Sequence, residues 1–223
     1  MSAQDADLSP AVPVRAVLFD LDGTLIDSVP LILDSFLHTF AVCGIPHPGD
    51  ALLRHGLGIP LRSYFAQWTA DAAEMDRMIA VYREYNLSNH DARVTAFPGV
   101  VEMVRLVRAG GRTTALVTSK NRSASERGLA LAGLSGTMDT IVSCDDVQRP
   151  KPDREPVDVA LARLAAAAAS AVFVGDSLHD LASGRAAGVR TAAALWGPFT
   201  RADLEPGEPD YWLEQPGDLL GIL

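Results

Sequence analysis

The feature that most constrains the fold is a series of short apolar runs, each of which ends in polar residues. Segments with helical periodicity separate them, such as residues 100–109, which end at Gly110 and Gly111. Strands buried on both faces have this pattern, because helices cover both sides of a parallel sheet. The alternation predicts an α/β fold with a doubly wound, Rossmann-like parallel sheet. The predicted strands are residues 14–20, 113–119, 140–144, 171–177 and 191–196.

One long stretch between the first two predicted strands does not alternate. It contains only helical patterns, at residues 31–42, 50–55, 61–70 and 72–86. About 65 helical residues are too many for one crossover between neighbouring strands. We therefore expect an all-helical cap domain at residues 27–97, inserted into an α/β core domain formed by residues 1–26 and 98–223.

Three more helices are expected after the second strand, at residues 122–132, 156–169 and 180–187. The second of them runs into an alanine-rich stretch, residues 164–171, which we interpret as the end of a buried helix. The last seventeen residues are expected to form a final strand and a short helix.

The composition narrows the classes of partner. The net charge of −9 argues against a nucleic-acid or anionic-membrane surface. No apolar run reaches the roughly 18 residues that a membrane span requires. The two cysteines, Cys43 and Cys144, form no CxxC motif, and the acidic start "MSAQDADLSP" is unlike a signal peptide. These features favour a cytoplasmic protein without nucleic-acid or membrane partners. We expect a monomer or a homodimer.

Polar side chains gather where the predicted strands end. Ligands bind at the carboxyl ends of the strands in an open parallel sheet, so these residues are candidates for one site. They are Asp20 and Asp22 after the first strand, Thr118 and Ser119 after the second, Lys151 after the third, and Asp176 and Asp180 after the fourth.

The acidic residues of this set point to a metal ion. Asp20 and Asp22 lie on the same side of an extended chain and repel each other unless a cation intervenes. With Asp176 and Asp180 nearby, the site suits a hard, oxygen-seeking ion such as Mg²⁺. The hydroxyl and backbone N–H groups of a Thr-Ser pair suit a phosphate group.

Four motifs in this order resemble the haloacid dehalogenase-like (HAD-like) hydrolase superfamily. They are "FDLDGTL" at 19–25, "VTS" at 117–119, Lys151, and "GDSLHD" at 175–180. Four further stretches are similar to the HAD-type inorganic pyrophosphatases of the phosphoglycolate phosphatase branch. These are "SFLHTF" at 35–40, "YREYNLSNHD" at 82–91, "FPGV" at 97–100 and "KPDREPVDVAL" at 151–161.

The resemblance implies a role for each motif residue. Asp20 is the expected nucleophile, which accepts the phosphoryl group as an aspartyl-phosphate, and Asp22 is the expected general acid and base. The expected Mg²⁺ ligands are Asp20, the backbone carbonyl of Asp22, Asp176 and Asp180. The expected phosphate-binding residues are Gly23, Thr118, Ser119 and Lys151.

The resemblance also implies a class of substrate. We expect a small phosphorylated compound, with inorganic pyrophosphate first and 2-phosphoglycolate second. The loop "RHGLGIPL" at 54–61 departs from the family pattern. Arg54 and His55 at its start and Arg62 directly after it are candidate substrate contacts. Two alternatives stay open, a β-phosphoglucomutase-like phosphotransferase and a catalytically silent phosphate-binding protein. Asp22 favours phosphate chemistry over dehalogenation, because a departing halide needs no proton.

Overall fold

The structure is a computed structural model that describes residues 12–223. The expectations for the first eleven residues, including the acidic start, lie outside the described residues. The strands are β1 Ala16–Phe19, β2 Ile26–Asp27, β3 Thr95–Ala96, β4 Thr113–Val117, β5 Thr140–Val142, β6 Ala171–Gly175, β7 Arg190–Ala194 and β8 Tyr211–Leu213. The α-helices are α1 Val29–Val42, α2 Asp50–His55, α3 Leu61–Phe65, α4 Ala72–Arg93, α5 Val100–Ala109, α6 Arg122–Leu131, α7 Glu155–Leu164, α8 Leu178–Ala187 and α9 Arg201–Leu204.

The main sheet has six parallel strands in the order β5-β4-β1-β6-β7-β8. The chain runs outward from β1 to β5 and returns to β6 on the other side of β1. This reversal makes the carboxyl end of β1 the topological switch point, where such sheets bind ligands. The predicted α/β class and parallel sheet are confirmed.

Both faces of the sheet are buried. In β1, Val17 and Phe19 belong to a core cluster with α5, whereas Ala16 and Leu18 belong to a second cluster with α7. Residues at alternate positions of a strand face opposite sides of the sheet, so one strand contributes to both clusters. Helices therefore cover the two faces, as the apolar runs predicted.

The segment from α1 to α4 has a hydrophobic cluster of its own. Its largest fully buried side chains are aromatic, and Phe36 packs on Tyr64 and Tyr82 with ring centroids 4.4 and 5.2 Å apart. The antiparallel pair β2–β3 joins the two ends of this segment. A separate cluster agrees with an inserted cap, and the domain boundaries at residues 27 and 97 remain a prediction.

Three helix predictions are wrong at their ends. The helix expected at 61–70 ends at Phe65, and the one expected to end at residue 86 continues to Arg93. Asn86 and His90 interrupt the apolar pattern of α4, yet both are buried, and Asn86 donates a hydrogen bond to Ser35 Oγ at 3.0 Å. The helix expected at 156–169 ends at Leu164, because Ala165 takes a left-handed conformation with φ 51°.

The alanine-rich stretch is therefore not the end of a buried helix. After Ala165 it passes through a 3₁₀ turn at Ala168–Ser170 and enters β6, with several of its alanines exposed. None of the helices within residues 12–223 combines the length and apolar character needed to cross a bilayer.

Candidate active site

Asp20 lies at the switch point, directly after β1. Its backbone N–H continues the sheet by donating to the carbonyl of Val174 at 2.9 Å, and the residue is only 4% exposed. Burial raises the pKa of Asp20 to about 7, with the positive charge of Lys151 opposing the rise. A buried carboxylate of this kind requires positive charge close by if it is to ionise.

Two more acids converge on Asp20 from the other half of the chain. Carboxylate oxygens of Asp20, Asp176 and Asp180 all lie within 4.8 Å of one another, and the three residues are buried. Burial, together with the charges of Asp180 and Asp20, raises the pKa of Asp176 well above its ordinary value. The predicted meeting of the strand-end acids therefore occurs for these three residues.

Lys151 supplies positive charge to this cluster. Its Nζ donates to Oδ1 of Asp20 at 2.9 Å and to Oδ1 of Asp180 at 2.6 Å, and it is 4% exposed. Burial alone disfavours the ammonium form, but the two carboxylates outweigh burial and raise the pKa of Lys151 above its ordinary value. Lys151 is therefore positively charged, and it holds two of the three acids in place.

Asp180 also takes part in the N-terminal cap of α8. Ser177 is the N-cap residue of this helix, and Oδ2 of Asp180 accepts hydrogen bonds from the Ser177 N–H at 3.0 Å and hydroxyl at 2.6 Å. This reciprocal capping box fixes the orientation of the carboxylate and leaves Oδ1 toward Lys151. Helix capping and a role in the acidic cluster are thus compatible.

The donor set fits a magnesium ion. Mg²⁺ binds oxygen at about 2.0–2.1 Å, so ligands on opposite sides of one ion lie roughly 4.2 Å apart. The observed limit of 4.8 Å between the three carboxylates is close to this separation. When a bound cation keeps all three carboxylates ionised, they and the ammonium leave two negative charges, which one divalent cation balances.

Gly23 is constrained by its contact with Asp176. Its N–H donates to the carbonyl of Ile26 at 2.9 Å, so this donor closes a turn instead of facing a phosphate. Its φ is 89°, and a Cβ at this position would overlap the carboxylate of Asp176, with Cγ at 2.7 Å. Thr24 then donates to Oδ1 of Asp176 at 2.6 Å. The turn after β1 therefore orients a metal-ligand candidate.

We expect Gly23→Ala to destabilise the protein by about 2–4 kcal/mol, because it adds a clash to the cost of a positive φ. Gly49→Ala is the matched control: its φ is 92°, and a Cβ added there would have no neighbour within 4 Å. Urea unfolding measures both variants. Equal losses of free energy would show that the contact with Asp176 is unimportant.

Asp22 lies outside the acidic cluster and faces a different cation. Its Oδ1 accepts hydrogen bonds from Lys120 Nζ at 2.6 Å and from Ser28 Oγ at 2.5 Å. Lys120 was not among the predicted site residues, although a cation directly after the "VTS" motif at a strand end was a usable signal. Lys120 and Ser28 hold Asp22 at the edge of the site.

The two residues after β4 make local contacts. The Thr118 hydroxyl accepts from the Lys120 N–H at 3.2 Å, and the Ser119 hydroxyl donates to the carbonyl of Gly58 at 2.7 Å. Gly58 belongs to the loop between α2 and α3, so Ser119 links the sheet edge to the helical segment. Both residues line the cavity that opens at Asp20.

This cavity has a volume of about 660 Å³ and lies between the sheet edge and the segment from α1 to α4. Arg62 lies in its wall and pairs with Asp76 at 2.5 Å. Arg54 and His55 line a separate recess of about 230 Å³. Arg54 donates to the carbonyl of Pro198 at 2.5 Å. The structure thus brings one of the three candidate substrate contacts to the cavity and places the other two outside it.

Comparison with known proteins decides the family. The sequence pattern described as "Haloacid dehalogenase-like hydrolase" matches residues 17–194. The chain belongs to the haloacid dehalogenase-like hydrolase family. The resemblance expected from the four motifs is confirmed, and the matched range includes Asp20, Lys151 and Asp176.

Similar proteins span nearly the whole of this HAD-like hydrolase. It is 41% identical over 210 residues to the pyrophosphatase PpaX of Bacillus velezensis, covering 94% of this chain and 96% of the relative. It is 38% identical to the PpaX of Oceanobacillus iheyensis, with coverages of 94% and 97%. A haloacid dehalogenase-like hydrolase of Streptococcus pneumoniae superimposes with a TM-score of 0.79 at 27% identity, covering 93% and 97% of the two chains. A candidate phosphoglycolate phosphatase of Lactobacillus plantarum superimposes with a TM-score of 0.82 at 25% sequence identity. The match covers 95% of this chain and 100% of the other.

Proposed function

We propose that this HAD-like hydrolase is a Mg²⁺-dependent phosphohydrolase that works through an aspartyl-phosphate on Asp20. The observation that carries the proposal is the geometry at the switch point. Asp20 is held at 2.9 Å by the buried Lys151, it belongs to a cluster of three acids, and it lines a cavity large enough for a substrate. A carboxylate placed in this way can act as a nucleophile toward phosphorus.

The reaction proceeds in two balanced steps. First, an oxygen of Asp20 bonds to phosphorus, the bond from phosphorus to the leaving oxygen breaks, and Asp22 gives that oxygen a proton. Next, Asp22 takes a proton from water, whose oxygen attacks phosphorus and releases phosphate and free Asp20. Oδ2 of Asp22 makes no hydrogen bond within residues 12–223, so it is the oxygen that is free to give and take the proton.

The other site residues stabilise charge. Lys151 neutralises Asp20. From the cavity wall, Thr118 offers its hydroxyl and Ser119 its backbone N–H to the phosphoryl oxygens, because the Ser119 hydroxyl already donates to Gly58. Asp20, Asp176 and Asp180, with the backbone carbonyl of Asp22, would hold Mg²⁺, which supplies positive charge to the transferring phosphoryl group. Gly23 serves this set sterically, by allowing Asp176 to approach.

The substrate we propose first is inorganic pyrophosphate, and the second is 2-phosphoglycolate. The similarity to the PpaX pyrophosphatases, which are 41% and 38% identical to this chain, supports pyrophosphate. We further propose that residues 27–97 act as a cap that limits access of water. The contact from Ser119 to Gly58 and the contact from Arg54 to Pro198 both join this segment to the sheet domain.

A phosphate-release assay tests the proposal. The purified chain is incubated with Mg²⁺ and a panel of pyrophosphate, 2-phosphoglycolate, sugar phosphates and nucleotides, with EDTA-treated protein in parallel. We expect phosphate release from at least one small substrate, loss of release in EDTA, and recovery when Mg²⁺ is added. Isomerised sugar phosphate with little free phosphate would instead indicate a phosphotransferase, and binding without turnover would indicate a silent phosphate-binding protein.

A further inference from the structure

The cavity is larger than the proposed small substrates need. The helical segment already touches the sheet domain at and just before the loop between α2 and α3. Gly58 in the loop accepts a hydrogen bond from Ser119, and Arg54 of α2 donates one to the carbonyl of Pro198. The volume of about 660 Å³ thus belongs to a cleft in which the loop between α2 and α3, the covering loop, already contacts the sheet domain. It lies within the range of about 300–1,000 Å³ that holds drug-sized organic ligands.

Much of the wall contributed by the helical segment is apolar, and the polar side chains of Arg62, Asp76, Arg83 and Asn86 line the rest of it. Ile32 and Phe36 of α1, Leu61 of α3 and Ile79 of α4 line the apolar part, together with Ile59 from the covering loop. An ion such as pyrophosphate gains no binding free energy from the apolar part of this wall, because apolar surface favours apolar groups and offers no hydrogen bonds. The wall therefore suits a substrate with a hydrocarbon portion next to its phosphoryl group.

A cation lies on the same wall, away from the acidic cluster. Arg83 of α4 lines the cavity, and within residues 12–223 it forms neither an ion pair nor a side-chain hydrogen bond, unlike Arg62, which pairs with Asp76. Its positive charge acts on Cys144, whose pKa burial raises to about 11 while Arg83 opposes the rise. A guanidinium without a partner, facing a ligand cavity, is suited to bind a carboxylate or phosphate.

Cys144 lines the same cavity as Asp20 and Arg83, and it gives a scale for the length of that cavity. Cys144 follows β5, whereas Asp20 follows β1, and β4 lies between these two strands. Neighbouring strands are about 4.8 Å apart, so the two strand ends are separated by roughly 10 Å. A ligand that spans the cavity from Asp20 to the end of β5 must therefore be extended.

We infer that the site hydrolyses phosphomonoesters whose leaving group is an extended, partly apolar chain that ends in an anionic group bound by Arg83. The inference rests on the proposed function and deepens it by naming a substrate class beyond pyrophosphate and 2-phosphoglycolate. Ester and water give alcohol and phosphate. The bond from phosphorus to the ester oxygen breaks, and that oxygen takes its proton from Asp22.

The test is a series of ω-phosphoryloxy carboxylates of increasing chain length, starting at 2-phosphoglycolate and extending past a span of roughly 10 Å. Neutral alkyl phosphates of matched length form the second arm. We expect kcat/KM to rise at least about tenfold along the acidic series and to exceed that of the matched neutral esters at the longer lengths. Arg83→Gln should lower the ratio of acidic to neutral kcat/KM about tenfold.

Arg77→Gln is the matched control, because Arg77 lies on the same helix but pairs with Glu74 outside the cavity. This control should keep the wild-type ratio. A kcat/KM that falls steadily with chain length, or an Arg83→Gln variant that affects acidic and neutral esters equally, would overturn the inference alone. Absence of phosphate release from every compound, pyrophosphate included, would overturn the proposed function and this inference together.

Discussion

Asp20→Asn protein should release phosphate at least about 10³-fold more slowly than the wild-type chain, because an amide oxygen is a poor nucleophile toward phosphorus. The substitution keeps the size of a side chain that is 4% exposed, and it removes one of three acids whose charges repel each other. The fold should therefore survive. Initial rates of phosphate release, measured with saturating Mg²⁺ on the best substrate of the panel, give the effect.

Asp71→Asn is the control for this experiment. Asp71 caps α4 by accepting a hydrogen bond from the Glu74 N–H at 2.8 Å, and asparagine caps helices as well as aspartate does. This variant should keep the wild-type rate. Thermal unfolding of both proteins confirms that they are folded. Normal turnover by folded Asp20→Asn protein would rule out Asp20 as the nucleophile.

Lys151→Met should lower the free energy of unfolding by about 3–5 kcal/mol, because it leaves two buried carboxylates without their cation. Lys151 Nζ lies 2.9 Å from Asp20 and 2.6 Å from Asp180, and its side chain is 1% exposed. Methionine keeps much of the alkyl chain, so the loss reports the charge rather than a cavity. Urea unfolding in EDTA measures this free energy without a metal contribution.

Lys120→Met is the comparison for this prediction. Lys120 pairs with Asp22 at 2.6 Å, but the two side chains are 14% and 20% exposed, so water partly solvates the remaining carboxylate. Lys120→Met should lower the free energy of unfolding by about 1 kcal/mol or less. If the two lysine variants lost equal free energy, Lys151 would not be the cation that sustains the buried acids.

The sequence predicted those parts of the fold that local patterns determine. Helix α5 was expected at 100–109 and occupies Val100–Ala109, because its apolar spacing and the glycines after it are local signals. Helix α4 was predicted too short, since Asn86 and His90 are polar yet buried, and Ser35, the partner of Asn86, lies far away along the chain. The two-residue strands β2 and β3 were missed because each depends on a partner far along the chain.

In the candidate site, too, sequence patterns could predict some contacts, whereas others depend on the tertiary structure. That Asp20 and Asp176 meet could be predicted, because parallel strands bring their carboxyl ends to one edge of the sheet. The partner of Asp22 could not, since the direction of Lys120 depends on how the loop after β4 turns. The placement of Arg54 in a separate recess depends on how the helical segment sits on the sheet, which sequence spacing does not encode.

The most direct test of the central claim is to locate the phosphoryl group on the protein during turnover. Asp22→Asn slows the second step, in which Asp22 activates water, so the intermediate should accumulate. The variant is mixed with Mg²⁺ and substrate and quenched in acid, and its peptides are analysed by mass spectrometry. The account predicts a phosphoryl group on the Asp20 side chain. A phosphoryl group on any other residue, or none on a protein that still turns over, would contradict it.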